Sequence, residues 1–344
     1  MTHAIDAYPS LETPFLIVIG ASAGGVEAIA QLIQVLPPNL PAAILAVIHF
    51  PAYSKSVLPQ ILNRRGQWPA SQAKDGAAIL PGQIYTASPD YHLVVQEGYV
   101  SLNHGPRENG HRPAIDVLFC SAAKAYGSQT IGVVLSGTLD DGTVGLKIIK
   151  SQGGIAIVQD PNEALFNGMP LSAIKHVAID YVLPIAGIAS ILSKLVARPP
   201  LEKMMTPEHT KMDQDAAVVA EDKAALERGE YSGRSSTITC PGCGGVLWEL
   251  HNDSLVRFRC HIGHAYSLDS LVAEQADMVE QALWSAVRAL EEKAALARRM
   301  EAHNRRQYND LSADQFSNRA HDAENNATLL RQLLLNNANK QELG

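Results

Sequence analysis

The stretch Leu16-Ile17-Val18-Ile19-Gly20-Ala21-Ser22-Ala23-Gly24-Gly25 constrains the fold more than any other in this chain. An apolar, mostly β-branched run enters a glycine-rich turn, and beyond it Val26, Ile29, Leu32 and Ile33 recur at helical spacing. An unbroken apolar run of this length is buried on both faces, so the pattern reads as parallel strand, tight turn, helix. Gly20-Ala21-Ser22-Ala23-Gly24 also fits G-x-S-x-G, in which a serine stands exposed between strand and helix with backbone N–H groups aimed at an oxyanion. The same residues also suit a phosphate-binding turn, or a turn whose glycines simply let the backbone pack.

Strand and helix patterns go on alternating to about residue 197. Ala43 to Ile48 is a second buried strand, ending at His49, and Ser56 to Arg65 reads as a helix. Ile84 to Ala87 is a short strand, and Tyr91 to Val95 with Tyr99 to Asn103 form a β-hairpin around Glu97-Gly98. Pro113 to Tyr126 is helical, with Pro113 in the first turn. Thr130 to Ser136 is another apolar strand, running into the loop Gly137-Thr138-Leu139-Asp140-Asp141-Gly142 and a helix beyond it. Gly154 to Val158 and Tyr181 to Leu183 add strands, and Ile185 to Val196 adds a helix. The fold class is therefore α/β: a doubly wound, mainly parallel sheet with helices on both faces.

Ligands and chemistry gather at the carboxyl ends of strands in such sheets. Ser22, His49 and Asp141 fall at or just past three of those ends. Alone, His49 suits a satisfied structural histidine and Asp141 a helix cap. Together they are the residue types of a serine-hydrolase triad, and triads recur on unrelated folds in any chain order.

Five motifs then occur in series: Ile19 to Gly25; His49-Phe50-Pro51; His111-Arg112-Pro113-Ala114-Ile115-Asp116-Val117-Leu118-Phe119; Leu135 to Gly142; and Phe166-Asn167-Gly168-Met169-Pro170. In these the chain resembles the catalytic domain of the chemotaxis protein-glutamate methylesterases over residues 13–197. The resemblance implies Ser22 as nucleophile, His49 as general base and Asp141 as the residue that orients His49, with no cofactor for catalysis. It implies γ-glutamyl methyl esters of methyl-accepting chemoreceptors as substrate, and it allows glutamine deamidation. Backbone donors of the Ser22 and Gly137–Asp141 turns are expected at the oxyanion. His111 and Arg112 are expected to contact substrate or brace the site, or Arg112 to pair with a carboxylate such as Asp116. Members of the family often carry threonine where this chain has Ala23 and methionine where it has Thr138. Familiar members also begin with a phosphorylatable receiver domain. About a dozen residues precede the first strand here, so control by an attached receiver is not expected.

Residues 198–236 change character, with Pro199-Pro200, mixed charges and Ser232 to Ser236, and read as a linker with a short helix over Ala216 to Tyr231. In residues 237–266, Cys240 and Cys243 are followed by Cys260 and His264, the spacing of a zinc-ribbon-like module with a structural zinc ion. His264 is favoured over His261, because adjacent Cys260 and His261 do not easily reach one ion. Val246 to Leu250 and Leu255 to Phe258 are its strands. Cys120 reads as a buried core thiol.

Residues 267–338 read as an antiparallel helical hairpin stacked on that module. The first helix, Ser267 to Arg306, carries a stripe of Leu268, Leu271, Val272, Met278, Val279, Leu283, Ala286, Val287 and Leu290. Ser312-Ala313-Asp314-Gln315 is a capping-box match for a second helix to about Asn336. These helices pack on each other, or dock a receptor, a signalling partner or an identical chain.

The chain carries a net charge of −7, and residues 237–264 offer only Arg257 and Arg259 against Glu249 and Asp253. That lacks a nucleic-acid footprint. No apolar run reaches bilayer length, the first residues are not those of a signal peptide, and a reducing, cytoplasmic compartment fits the cysteine usage, three clustered late and Cys120 alone. Two other readings remain: a hydrolase of the same fold with another ester or amide substrate, and a non-catalytic signalling adaptor.

Overall fold

The computed structural model describes residues 15–50, 53, 55–197, 233–252 and 255–341. The chain divides into two compact units, Met1–Leu271 and Val272–Gly344. The helix read over Ala216 to Tyr231 lies outside the described residues.

The first unit is built on a seven-stranded parallel sheet in the order β3-β4-β2-β1-β7-β8-β9. Its strands are β1 (Phe15–Ala21), β2 (Ala42–Ile48), β3 (Ala70–Gln72), β4 (Ile84–Thr86), β7 (Thr130–Val134), β8 (Ile155–Gln159) and β9 (Tyr181–Leu183). Every residue of β1 and β2 is buried, as their continuous apolar runs require. Helices α1 (Gly25–Val35), α2 (Leu58–Arg65) and α6 (Ile185–Val196) cover one face, and α3 (Ile115–Tyr126), α4 (Thr143–Ser151) and α5 (Gly168–His176) the other. The hairpin β5 (His92–Gln96) and β6 (Tyr99–Asn103) stands beside α3. Strand β3 has no counterpart in the sequence reading. It is three residues long, on the sheet edge, with two of its three side chains exposed, so it leaves no apolar pattern.

Helices α3 and α4 approach closely at Gly145. A Cβ there would stand 2.4 Å from Phe119 Cβ and 3.2 Å from the Asp116 backbone. The chain needs that approach, because the Gly145 N–H donates to Asp116 Oδ1 at 2.7 Å.

A four-stranded antiparallel sheet follows: β10 (Gly233–Thr239), β11 (Val246–Asn252), β12 (Leu255–Cys260) and β13 (Ala265–Ser267). Strand β10 starts inside the segment read as linker, and two strands were expected where four form. Polar β10 and three-residue β13 are held by pairing with β11 and β12 rather than by an apolar pattern of their own.

Two long helices end the chain, α7 (Leu268–Arg306) and α8 (Asp310–Gln341). Within the second unit they run antiparallel, since Arg298 pairs with Glu324, Arg305 with Asp314 and Arg331 with Glu291. Their seam buries Val287, Ala294 and Ala297 with Ala313, Ala320, Ala323, Ala327 and Leu334. The stripe read from the sequence is buried only in part, since Val272, Met278 and Val279 are exposed. In the second helix, where Phe316, Ala320, Ala323, Leu330 and Leu334 read as a stripe, Ala320, Ala323 and Leu334 are buried. Helix α8 starts two residues before Ser312. Its cap is Asn309, whose Oδ1 accepts the Ser312 N–H at 3.3 Å.

Overpacking is the expected consequence of filling the α3–α4 approach. Gly145→Ala is expected to lower stability by about 1–3 kcal/mol. The check is a lower urea midpoint at unchanged m-value.

Candidate functional site

Three neighbouring strands, β2, β1 and β7, deliver the three candidate residues. Ser22 follows β1 in a turn closed by the Gly25 N–H donating to Ser22 O. Gly24 takes φ 72° to start α1, a left-handed conformation that glycine adopts at little cost. The Ser22 N–H donates to Ser136 O at 2.9 Å, which ties the end of β1 to the end of β7. His49 follows β2, its N–H donating to Ala21 O at 3.4 Å. Asp141 sits in the loop after β7, before Gly142 at φ 96° opens α4.

The side chains meet. His49 Nδ1 lies 3.2 Å from Ser22 Oγ, and His49 Nε2 lies 2.7 Å from Asp141 Oδ2. A carboxylate only accepts, so Nε2 carries the proton, and Nδ1 is left to accept from the serine hydroxyl. Ser22 is half-buried, while the side chains of His49 and Asp141 are 7% and 3% exposed.

Asp141 receives more than His49. The Ile115 N–H donates to its Oδ2 at 2.7 Å, and its Oδ1 accepts from the N–H groups of Asp116 (3.2 Å) and Gly142 (3.1 Å) and from Asn109 Nδ2 (3.0 Å). Two of these donors are first-turn N–H groups of α3, which suit a negative charge. Burial pushes the Asp141 carboxyl up, but the His49 hydrogen bond and charge and the Ile115 N–H outweigh it, and it stays ionised well below the usual range. Asp116, fully buried beside it, is pushed well above the usual range by burial and by the Asp141 charge.

His111 lies face to face with His49, ring centroids 3.7 Å apart and planes 15° from parallel. Burial, then the His49 charge, pushes it down to about 3, so it is a neutral wall for the His49 ring. Arg112 does not pair with Asp116. Its carboxylate is Asp90, at 2.7 Å, and it also donates to Gly105 O. Asp116 instead accepts from Gly142 N–H, Gly145 N–H and Asn109 Nδ2. Helix α3 begins at Ile115, after a cis Arg112–Pro113 bond, two residues later than Pro113 suggested. Sequence reasoning missed Asn109 altogether, and a lone Asn-Gly ahead of a helix carries no signal beyond a turn.

Cys240, Cys243, Cys260 and His264 form a second constellation, each offering a ligand atom within 4.8 Å of the others. Cys243 Sγ lies 3.7 Å from Cys260 Sγ, and His264 Nδ1 lies 3.6 Å from both Cys240 Sγ and Cys260 Sγ. A tetrahedron with metal–sulfur bonds of about 2.3 Å has edges of about 3.7 Å, so this donor set fits a metal ion. His261 is not part of the cluster.

Asp140, next to Asp141, accepts the Ser267 hydroxyl at 2.7 Å, and burial raises its carboxyl from 3.8 to about 6. A folded-state value above the unfolded one means that proton binding stabilises the fold below about pH 4, and that this is lost as pH rises through about 6. Asp140→Asn keeps an acceptor for Ser267 and removes the charge. It is expected to melt higher than wild type at pH 7.5, by up to ~3 kcal/mol of stability. Thermal scans below pH 4 should show the difference gone.

Comparison with known proteins bears on the parallel-sheet region. Residues 17–192 match the family model described as CheB methylesterase. A Leptospira interrogans protein, named for protein-glutamate methylesterase and protein-glutamine glutaminase activities, is 40% identical over 180 residues, 52% of this chain and 93% of its own length. The protein-glutamate methylesterase/protein-glutamine glutaminase 2 of Pseudomonas aeruginosa is 36% identical over 197 residues, 56% of each chain. The chain therefore spans nearly all of the first relative and about half of the second. The crystal structure of the Thermotoga maritima CheB methylesterase catalytic domain superposes with a TM-score of 0.51 at 37% identity, covering 53% of this chain and 98% of that one. With the family's domain filling its parallel-sheet region, the chain belongs to the CheB methylesterase family.

Proposed function

We propose that this chain removes methyl groups from γ-glutamyl methyl esters on the helical cytoplasmic region of methyl-accepting chemoreceptors, with Ser22 as nucleophile. The observation that carries this reading is the continuous relay from Ser22 Oγ through His49 to buried Asp141. His49 Nδ1 takes the Ser22 proton as Oγ attacks the ester carbonyl. Asp141 fixes the ring tautomer and stabilises the imidazolium. The protonated ring then gives its proton to the leaving methanol, and water, deprotonated by the same ring, releases glutamate from the acyl-enzyme. A glutamine amide follows the same course with ammonia leaving, which is the second activity in the relatives' names.

The oxyanion donors are narrower than the sequence suggested. The Ser22 N–H is committed to Ser136 O and the Gly137 N–H to Phe166 O. Among the N–H groups that remain on the two turns are those of Ala23 and Thr138. These are the two positions where family members often carry other side chains, but a donor used through its backbone does not depend on them. One such donor is typically worth about 3–4 kcal/mol. Leu165 and Phe166, exposed beside the Ser22 turn, give an apolar rim for a helical substrate. No helix among the described residues is long and apolar enough to cross a membrane, and the reaction belongs to the cytoplasm, where the receptor helices lie.

The metal at Cys240, Cys243, Cys260 and His264 is zinc in this reading, four-coordinate and structural. It would cross-link the turn after β10 to the turn after β12. A sheet whose apolar cluster holds so few buried side chains needs such a cross-link.

Methanol release from methyl-labelled receptor should occur with wild type and fall on the order of 10⁶-fold in Ser22→Ala. Equal release by both would remove Ser22 from the mechanism, and release by neither would return the question to another substrate or to an adaptor. Purified protein should hold one zinc per chain, and Cys243→Ser should lose it together with amide exchange protection over β10 to β13. A Cys243→Ser protein that keeps a full equivalent of zinc would remove Cys243 from the ligand set.

A further inference from the structure

Asn109 stands between the catalytic carboxylate and the antiparallel sheet. Its side chain is 4% exposed. Its Nδ2 donates to Asp141 Oδ1 and to Asp116 Oδ2, both at 3.0 Å. Its Oδ1 accepts the Ser267 N–H at 3.0 Å and the Ser270 hydroxyl at 3.3 Å. The amide therefore has one orientation, with nitrogen toward two carboxylates and oxygen toward the end of β13 and the start of α7. Asn109 itself takes φ 52°, a left-handed conformation that asparagine tolerates better than most residues.

The backbone around it is held by the same sheet. The Asn109 N–H donates to Ala265 O at 2.8 Å, and the Ala265 N–H donates to Arg107 O at 3.2 Å, so residues 107–109 extend the sheet alongside β13. Glu108, 3% exposed, pairs with Arg257 and with Arg259 of β12. Ser267 also reaches Asp140, the neighbour of Asp141.

We propose that Asn109 is a positioning residue for the triad, and that the Cys3His sheet and the first turn of α7 hold it in place through the Ser267 N–H and the Ser270 hydroxyl. The inference rests on the esterase reading of Ser22, His49 and Asp141. Two buried carboxylates, Asp116 and Asp141, face one amide. Asp116 is the one pushed above its usual range, so without the Asn109 N–H groups less holds the charge on Asp141, a situation that favours sharing a proton between the two carboxyls. Asp141 then spends less time as the anion that fixes the His49 ring. Nothing in this chain of contacts touches substrate, so the effect falls on kcat and leaves KM in place.

Two measurements test it. The first is methyl-ester hydrolysis by wild type, Asn109→Ala, Ser270→Ala, whose hydroxyl bonds Asn109 Oδ1, and the combination. The second is the low-field proton NMR signal of His49 Nε2–H, which requires no turnover. Asn109→Ala is expected to lose about 10²-fold in kcat with KM unchanged, and Ser270→Ala about tenfold. Adding Ser270→Ala to Asn109→Ala should cost nothing more, because both act through one amide. The low-field proton should shift or broaden in both variants. Single Ser270→Ala, which removes one hydroxyl, keeps the test valid if Asn109→Ala does not fold, and it should move the same signal in the same direction.

An active wild type whose kcat and low-field signal are unmoved by Asn109→Ala or Ser270→Ala overturns the inference alone. Fully additive losses, or losses confined to KM, overturn it too. A wild type that releases no methanol beyond Ser22→Ala overturns the esterase reading, and this inference with it.

Discussion

A buried carboxylate at the end of β7 sets the terms for the rest of the site. Asp141 is 3% exposed and must remain charged to orient His49. An uncompensated ion at that depth would take up a proton instead. The fold answers with donors from separate segments: the first turn of α3, the start of α4, Asn109 and His49. Each donor fixes a piece of chain. Helix α3 must point its N-terminus at the end of β7, so Ile115 crosses to within reach of Gly20, where a Cβ would stand 2.2 Å from the Ile115 side chain. The glycine of the first turn is thus required by the aspartate, which lies more than a hundred residues further on.

The three candidate residues were legible because strand periodicity located the strand ends, and the sheet topology put those ends side by side. Their neighbours were not. His111 reads as one polar residue before a helix, and its stacking on His49 depends on the path of the loop between β6 and α3. Arg112 was matched to Asp116 by proximity in sequence. Yet Asp116 faces inward from α3 onto Gly142 and Gly145, and the partner of Arg112 comes from Asp90, just before β5. Sequence spacing reveals which residues share a face of one element. It does not reveal which loops meet across elements. The same limit hid β3, β10 and β13, whose pairing comes from neighbours rather than from their own composition, and moved the α8 cap from Ser312 to Asn309.

Arg257 and Arg259 sit where a count of surface charge does not place them. Counted as surface charge, the pair is too small for a nucleic-acid footprint. In the structure both guanidinium groups are buried, 6% and 5% exposed, and directed at one carboxylate. They alternate along β12 with Phe258, which faces the small sheet's own apolar cluster. Period two puts the arginines on one face and the phenylalanine on the other. The sheet therefore has an apolar side for itself and a cationic side for Glu108.

That division bears on how firmly the antiparallel four-stranded sheet is joined to the parallel-sheet region. A buried ion pair adds little net stability against an apolar replacement, but removing one partner costs about 3–5 kcal/mol, because the other charge stays buried. With one glutamate shared by two arginines, any register but the observed one strands at least one charge. Apolar surfaces of equal area would slide more freely, since burial is non-directional. The ion triad thus supplies registration more than adhesion. Registration is what the site requires, because the hydrogen bonds from Ser267 and Ser270 to Asn109, at 3.0 and 3.3 Å, tolerate little displacement.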